Sequence, residues 1–360
     1  MKKALIALTL LLTQMTGCSN AINEYTFNQV PEQDDGLRAG SMQSAGLDPA
    51  LIGKAVKKIK EGKFGEVHSL LIYRDSLLVL EEYFRGHNYQ WDAPGYHGEL
   101  VDWNRDMAHP VMSCTKSITS ACIAIAIEKG FIDSVTQSIF DYLPDHQELR
   151  SDNREYITIE NLLTMTSGLE WDEWSTSNGT SANDIDMLYF ACDDPVKCVL
   201  DNPWWAPPGQ LFTYNGGGMV ILGEILRNAT GMGIDEFSAK YLFGPLNIES
   251  ATWARYPNGM FDAAGSLSLT PRDMLKFGIT YLDNGIWNGS VIIPAAWVEK
   301  SSHPYRKNRD IKIPIEDSGK NGYGYSWWTS EPDYRGGKTE MFRANGWGGQ
   351  TIMVRPSSGW

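Results

Sequence analysis

Ser113 and Lys116 stand three residues apart in the stretch Ser113-Cys114-Thr115-Lys116. In a helix, that spacing puts the two side chains on one face, a turn apart. The run Ile118 to Ile127 behind them is apolar on every side, the pattern of a buried helix. Gly130, after Glu128-Lys129, supplies a left-handed end. The sequence thus sets a hydroxyl and an amine at one end of a buried helix. Burying an unpaired ammonium is costly. Desolvation lowers a lysine's pKa, and a value near ~7–8 makes it a general base. The chemistry is then attack by Ser113 on a carbonyl, with Lys116 taking its proton. Taken alone, Ser-x-x-Lys also describes a serine-capped helix with a surface lysine. Cys114 adjoins Ser113, but the lysine spacing serves the serine; Cys114 and Cys122 read as buried free thiols.

Two later stretches carry further candidate groups. In Pro208-Gly209-Gln210-Leu211-Phe212-Thr213-Tyr214-Asn215-Gly216-Gly217-Gly218, prolines and glycines fix a loop ahead of an apolar helix. A phenol there, Tyr214, is able to pass a proton between nucleophile and leaving group; the alternative is an ordinary half-buried tyrosine. Asn345-Gly346-Trp347-Gly348-Gly349-Gln350 leads into the last strand. Glycines at a strand start let a backbone approach a ligand closely. A backbone N–H from this turn, with that of Ser113, would form an oxyanion hole, in which one donor is worth roughly 2.7–4 kcal/mol. The alternative is a tight turn with a bulge. Trp204, Trp205, Trp327, Trp328 and Trp347 either wall an apolar pocket or pack in the core.

The elements that must position these groups follow from periodicity. Residues 49–61 read as an amphipathic helix capped by Asp48. Val67–Tyr73 and Leu77–Phe84 are β-rich runs joined by Arg74-Asp75-Ser76, a hairpin. From Gly130 to about Tyr256 the pattern is mostly helical, with starts at Thr158 and near Met219. Thr270-Pro271-Arg272-Asp273 opens another helix, with threonine at the cap and proline in the first turn. Gly324–Trp328 and Thr351–Val354 read as strands. The expected fold class is α/β (α+β): an antiparallel sheet flanked by helices, with a helical subdomain over residues 130–260. The turn Arg355–Gly359 is followed by no further strand, so the expectation is a chain cut short of its last strand and helix.

Met1-Lys2-Lys3 followed by Ala4–Leu12 forms a short signal peptide, too short to span a bilayer. Met15-Thr16-Gly17-Cys18 resembles a bacterial lipobox, making residues 1–17 a leader and Cys18 a lipidation site. A lipid chain anchors a protein without making it span the membrane. Ser19 after the cysteine, by resemblance to Gram-negative sorting, directs it to the outer membrane facing the periplasm. Residues 18–45 are polar and read as a tether. In an oxidising compartment Cys192 and Cys198 are a candidate disulfide. The net charge of −13 argues against nucleic acid as a partner. The six histidines are scattered along the chain and no Cys/His cluster has zinc spacing. Neither a metal nor an organic cofactor is expected.

Ser-x-x-Lys, then a tyrosine loop after Pro-Gly, then a Gly-Gly-Gln strand: this order resembles the serine β-lactamase-related family. That family includes class C β-lactamases, D-alanyl-D-alanine carboxypeptidases, esterases and 6-aminohexanoate-dimer hydrolases. Thr158–Leu169, Phe243–Ile248 and Ala264–Phe277 match its pattern too, so the likeness runs from about Val67 to the end, and residues 46–360 are expected to form one hydrolase domain. The resemblance implies a β-lactamase/transpeptidase-like fold. It implies Ser113 as the acylated nucleophile, Lys116 as base and Tyr214 as second proton carrier. The amides of Ser113 and Gln350 would form the oxyanion hole, with Gly349, Trp347 and Asn215 near the substrate.

Two departures from the family bear on substrate. Gly216 stands where the Tyr-x-Asn motif has asparagine, with Asn215 one place early. Trp347-Gly348-Gly349 replaces Lys-Thr-Gly, and a tryptophan does not pair a substrate carboxylate. The tryptophan form resembles the family's esterases. Tyr73-Arg74-Asp75, Glu82–Gly86 and Thr115-Lys116-Ser117 resemble its 6-aminohexanoate-dimer hydrolases. Both point to a small ester or non-lactam amide. The competing readings are a penicillin-binding or D-alanyl carboxypeptidase-like enzyme or a β-lactamase, a degenerate lipoprotein that only binds a partner, and a structural lipoprotein.

Overall fold

The structure, a computed structural model, describes residues 25–356 except 315, 317, 335 and 336. The leader, Cys18 and the turn after Pro356 lie outside the described residues. Helix α1 (Pro49–Lys60) is capped by Asp48, whose side chain accepts from Ala50 N, as the sequence predicts. Strands β1 (Ser69–Arg74) and β2 (Leu77–Tyr83) form the expected antiparallel hairpin. Asp75 and Ser76 both have positive φ, the backbone of a tight two-residue hairpin turn. A second hairpin, β3 (Arg85–Tyr89) with β4 (His97–Asp102), follows, in a stretch without a clear strand pattern. Short strands β5 (His109–Pro110) and β6 (Ser268–Leu269) pair across the chain.

Helix α2 (Cys114–Glu128) is the centre of the core. Every residue from Cys114 to Ala126 is buried. The helical region holds α3 (Ile159–Leu163), α4 (Asp184–Phe190), α5 (Pro195–Leu200), α6 (Gly216–Thr230) and α7 (Ile234–Ser238). Two helices follow it in sequence, α8 (Pro271–Leu282) and α9 (Ala295–Ser302). Between them lies a small hairpin of β7 (Ile286–Trp287) and β8 (Ser290–Val291). Then come β9 (Gly322–Tyr323), β10 (Trp328–Ser330), the pair β11 (Asp333–Tyr334) and β12 (Gly337–Lys338), β13 (Met341–Gly346) and β14 (Gln350–Val354). The four-stranded sheet has the order β14-β13-β10-β9 and is antiparallel throughout. α2 packs against this sheet on one side and α6 on the other. The expected antiparallel sheet with helical subdomain is the architecture observed. Among the described residues no helix is long and apolar enough to cross a membrane.

A helix buried on all sides has to satisfy its own polar side chains. Those of α2 donate to carbonyls of irregular backbone: Ser117 Oγ to Ser326 O (2.6 Å), Thr119 Oγ1 to Ala263 O (2.8 Å) and Ser120 Oγ to Tyr325 O (3.0 Å). The strand expected over 324–328 is instead the turn joining β9 to β10, closed by Gly324 N–H on Trp327 O (2.9 Å), with Ser326 at φ 61° and its N–H on Leu163 O. The predicted tether fails for its described part. Val30, Leu37, Met42 and Ala45 are buried, and Gly40 N–H and Leu78 N–H exchange bonds with Leu78 O and Arg38 O. Apolar residues among the polar ones were enough to lay this segment along β2.

Arg272 clamps that segment. Its guanidinium donates to Glu81 Oε2 (2.6 Å), Asp35 Oδ2 (2.8 Å) and Pro31 O (3.1 Å), and both carboxylates are largely buried. Removing one partner of a buried ion pair leaves an uncompensated charge and costs about 3–5 kcal/mol. Arg272→Ala should lower the urea unfolding free energy by that amount; a loss within error of zero would show that the clamp is solvated.

Candidate active site

The nucleophile sits on a tight turn. Val111 N–H bonds Leu267 O (2.8 Å), pinning the segment ahead of α2 to β6. Met112 then takes φ 48°, an uncommon conformation that costs a non-glycine residue of order 1–3 kcal/mol. Ser113 follows at the N-terminus of α2. Lys116 Nζ lies 2.8 Å from Ser113 Oγ and donates to Ala264 O at 3.1 Å. Lys116 is 2% exposed. Burial pushes its pKa below the usual lysine range, against the pull of Glu173 and Asp262, which raise it. Cys114 is excluded as a nucleophile: burial pushes its thiol up to about 12. Its Sγ donates to Gln350 O (3.5 Å), linking α2 to β14.

Glu173 is the residue that sequence reasoning missed. Its carboxylate lies 3.9 Å from Lys116 Nζ and accepts from Trp171 Nε1 (2.6 Å) and Gly216 N (2.8 Å). Burial raises its pKa, and Lys116 opposes that rise. A Cβ added at Gly216 would meet Glu173 Oε2 at 2.8 Å and Ile185 at 2.7 Å. So Gly216, the departure from Tyr-x-Asn, is the position where a side chain would collide with this carboxylate. The signal was present as a missing polar side chain beside a buried lysine, which requires some other partner. Asp262 was missed as well. It accepts from Ala264 N (2.7 Å) and Tyr189 OH (2.6 Å), and so holds the carbonyl that Lys116 uses.

Tyr214 lies beside Ser113 in the same cavity, and Lys116 Nζ stands 5.0 Å over its ring. Burial and the nearby Glu173 carboxylate push its pKa far up, so it is a neutral phenol. The ring packs beside Trp174 (5.0 Å) and Trp328 (5.6 Å), whose own centroids lie 6.2 Å apart, so the three rings form one cluster. Asn215 lies apart from the expected substrate contacts. It caps α6 by accepting from Gly218 N (2.9 Å), and Gly216–Gly218 form the first helical turn rather than a loop.

Ser113, Lys116, Tyr214 and Glu173 open into one cavity of about 630 Å³. Its rim is aromatic: Tyr89, Trp91, Tyr96, Trp174, Phe190, Trp328 and Trp347. Of the five tryptophans proposed as a wall, Trp328 and Trp347 serve; Trp327 is fully buried, Trp205 is exposed, and Trp204 lies outside the cavity. Asn345, Gly346 and Trp347 line the cavity, whereas Gly349 and Gln350, on the far arm of the turn, do not. Among the described lining residues Lys116 is the one cation, against Glu173, Asp186, Asp262 and Glu316. A second cleft of about 720 Å³, lined by Asp194, Glu224, Arg227 and their neighbours, has no serine–lysine pair. Cys192 and Cys198 are disulfide-bonded, and Cys114 and Cys122 are buried free thiols, as expected.

A serine beside a buried lysine at the N-terminus of an all-buried helix, with a phenol in the same cavity, is the arrangement that Ser-x-x-Lys acyl-transfer chemistry requires. The chain belongs to the beta-lactamase family, whose model matches residues 69–360. Protein flp of Staphylococcus aureus strain MW2 is 23% identical over 280 residues, 74% of this chain and 53% of that one. The 6-aminohexanoate-dimer hydrolase of Paenarthrobacter ureafaciens is 24% identical over 213 residues, 54% of this chain and 50% of that one. The chain thus spans about half the length of these relatives. Among solved structures, the octameric penicillin-binding protein homologue of Pyrococcus abyssi superposes with a TM-score of 0.61, at 22% identity over 86% of this chain and 73% of that one. A penicillin-binding protein homologue of Caulobacter crescentus gives the same TM-score at 16% identity, over 84% and 88%. These structural likenesses establish the shared fold.

The Lys116–Glu173 pair generates a pH prediction. With Lys116 as the base of an acylation step, the neutral amine is required, so kcat/KM would rise with pH through the pKa of Lys116. The Glu173 carboxylate raises that pKa. Glu173→Gln should therefore move the acid limb of the kcat/KM profile to lower pH. An unmoved limb would uncouple Glu173 from the base.

Proposed function

We propose that this chain hydrolyses small esters or non-lactam amides through an acyl-enzyme on Ser113. Ser113 Oγ attacks the substrate carbonyl while its proton passes to the Lys116 amine. The tetrahedral oxyanion is met by the amide of Ser113 and by that of Trp347, which lines the cavity where Gln350 does not. Tyr214, a neutral phenol beside Lys116 and Ser113, relays the proton from Lys116 to the leaving group. Water then attacks the ester carbon of the acyl-enzyme, and the same groups return the proton to Ser113 Oγ.

The observation that carries the substrate class is the cavity's charge. A β-lactam or a peptide C-terminus brings a carboxylate to the site. The described lining offers that carboxylate no cation beyond Lys116, which is engaged with Ser113 and Ala264 O, and sets four acids around it. Aromatic walls favour an apolar or a cationic substrate group. The 6-aminohexanoate-dimer hydrolase among the relatives supports the same reading. The penicillin-binding homologues among the structural neighbours favour the second reading, a carboxypeptidase-like enzyme.

A substrate panel separates the two. Neutral p-nitrophenyl esters and linear amides should turn over with an initial burst. Matched substrates bearing a carboxylate next to the scissile bond should show kcat/KM lower by at least about tenfold, about 1.4 kcal/mol. Trp347→Lys should narrow that gap. Efficient lactam turnover, or penicillin retained covalently on Ser113, would overturn the reading in favour of the carboxypeptidase-like one.

A further inference from the structure

The fold gathers in space what the sequence scatters. Four of the six histidines, His68, His87, His97 and His109, come together around the β3–β4 hairpin with Glu66. Within this group, ligand atoms of Glu66, His87 and His97 all lie within 4.8 Å of one another. We propose that Glu66, His87 and His97 form a binding site for a divalent transition-metal ion of the zinc class, separate from the serine–lysine centre.

A defect in strand pairing builds the site. His87 pairs with Leu100, but Tyr89 pairs with His97, so the register shifts by one residue between them. In an unbroken register His97 would stand opposite residue 90, on the other face of the hairpin. The shift flips it to the face of His87 and Tyr89. The two imidazoles then stack at 4.5 Å with an interplanar angle of 1°.

Glu66 is brought in from outside the hairpin. Its Oε1 meets His87 Nδ1 at 2.8 Å, and its Oε2 accepts from His87 N at 2.8 Å. That backbone bond fixes the carboxylate and, with the neighbouring histidine, holds its pKa below the usual range. Gly86 makes the approach possible, because a Cβ there would meet His68 Nε2 at 2.8 Å and Glu66 Oε2 at 3.3 Å.

Two imidazoles and one carboxylate are a donor set suited to zinc, with the fourth position left to water. Zinc bonds of 2.0–2.1 Å set neighbouring ligand atoms about 3.3 Å apart. A bound ion would tie the hairpin to the segment ahead of β1. The same hairpin carries Tyr89 and Tyr96, whose rings pack against Trp347 at 6.2 and 4.9 Å. The ion would therefore stiffen the aromatic rim of the cavity without touching the reacting atoms.

The test is a calorimetric titration of the untagged chain with Zn2+, with Co2+ as an optical probe of coordination by nitrogen. The expected result is one saturable ion per chain, a rise in Tm, and visible Co2+ bands. His97→Gln changes an exposed side chain and should weaken binding about tenfold or more. Glu66→Gln should weaken it as well, while His303→Gln should leave it unchanged. No saturable binding, or binding that survives both His97→Gln and Glu66→Gln, would overturn the proposal.

Discussion

Burial of the Lys116 amine is the constraint on which the rest of the structure depends. An amine taken out of water is costly unless it loses its charge or gains partners. Here it has Ser113 Oγ, Ala264 O and, at 3.9 Å, the Glu173 carboxylate. Each of those partners is itself held. Ser113 is fixed by the turn at Met112, Ala264 by Asp262, and Glu173 by Trp171 and Gly216. The burial of α2 on every side serves that arrangement, and its hydroxyls fasten the irregular segments 263–267 and 325–326 to the helix.

The same constraint explains the departure at Gly216. A polar side chain projecting from that position would collide with Glu173. The glycine and the glutamate are thus one device, in which a carboxylate from another segment stands beside the lysine. Around it the cavity is aromatic and acidic, and the segment 171–203 contributes Glu173, Trp174, Asp186 and Phe190 to its wall. In the proposed reading, chemistry and selectivity come from different parts of the chain. The first lies on α2 and the start of α6, the second on hairpins and on the segment between α3 and α6.

The serine, the lysine and the phenol were legible as candidates from short-range geometry, and the order of their motifs, by its resemblance to the family, supplied their roles. Three residues on a helix share a face, and a Pro-Gly loop before an apolar helix has few ways to fold. The capped helices at Asp48, Thr158 and Thr270 were legible for the same reason. Glu173, Asp262 and the histidine cluster were not, since their meaning depends on long-range approach that no local spacing records. The tether was misread because composition counts polar residues, whereas Val30, Leu37 and Met42 are enough to dock the segment on β2. The Asn345–Gln350 turn does border the cavity, but which of its residues reach it depends on which arm of the β13–β14 hairpin faces that side. Trp347 is on that arm and Gln350 is across from it.

The central claim is that Ser113 is activated by the buried amine three residues away. Intact-mass spectrometry after exposure to a fluorophosphonate tests it most directly, on the parent chain and on Ser113→Ala and Lys116→Ala variants shown by circular dichroism to be folded. The account predicts one adduct on the parent, none on Ser113→Ala, and labelling of Lys116→Ala slowed by about 10²-fold or more, as expected for a lost general base. A folded parent that takes no adduct, or a Lys116→Ala variant that labels as fast as the parent, would contradict it.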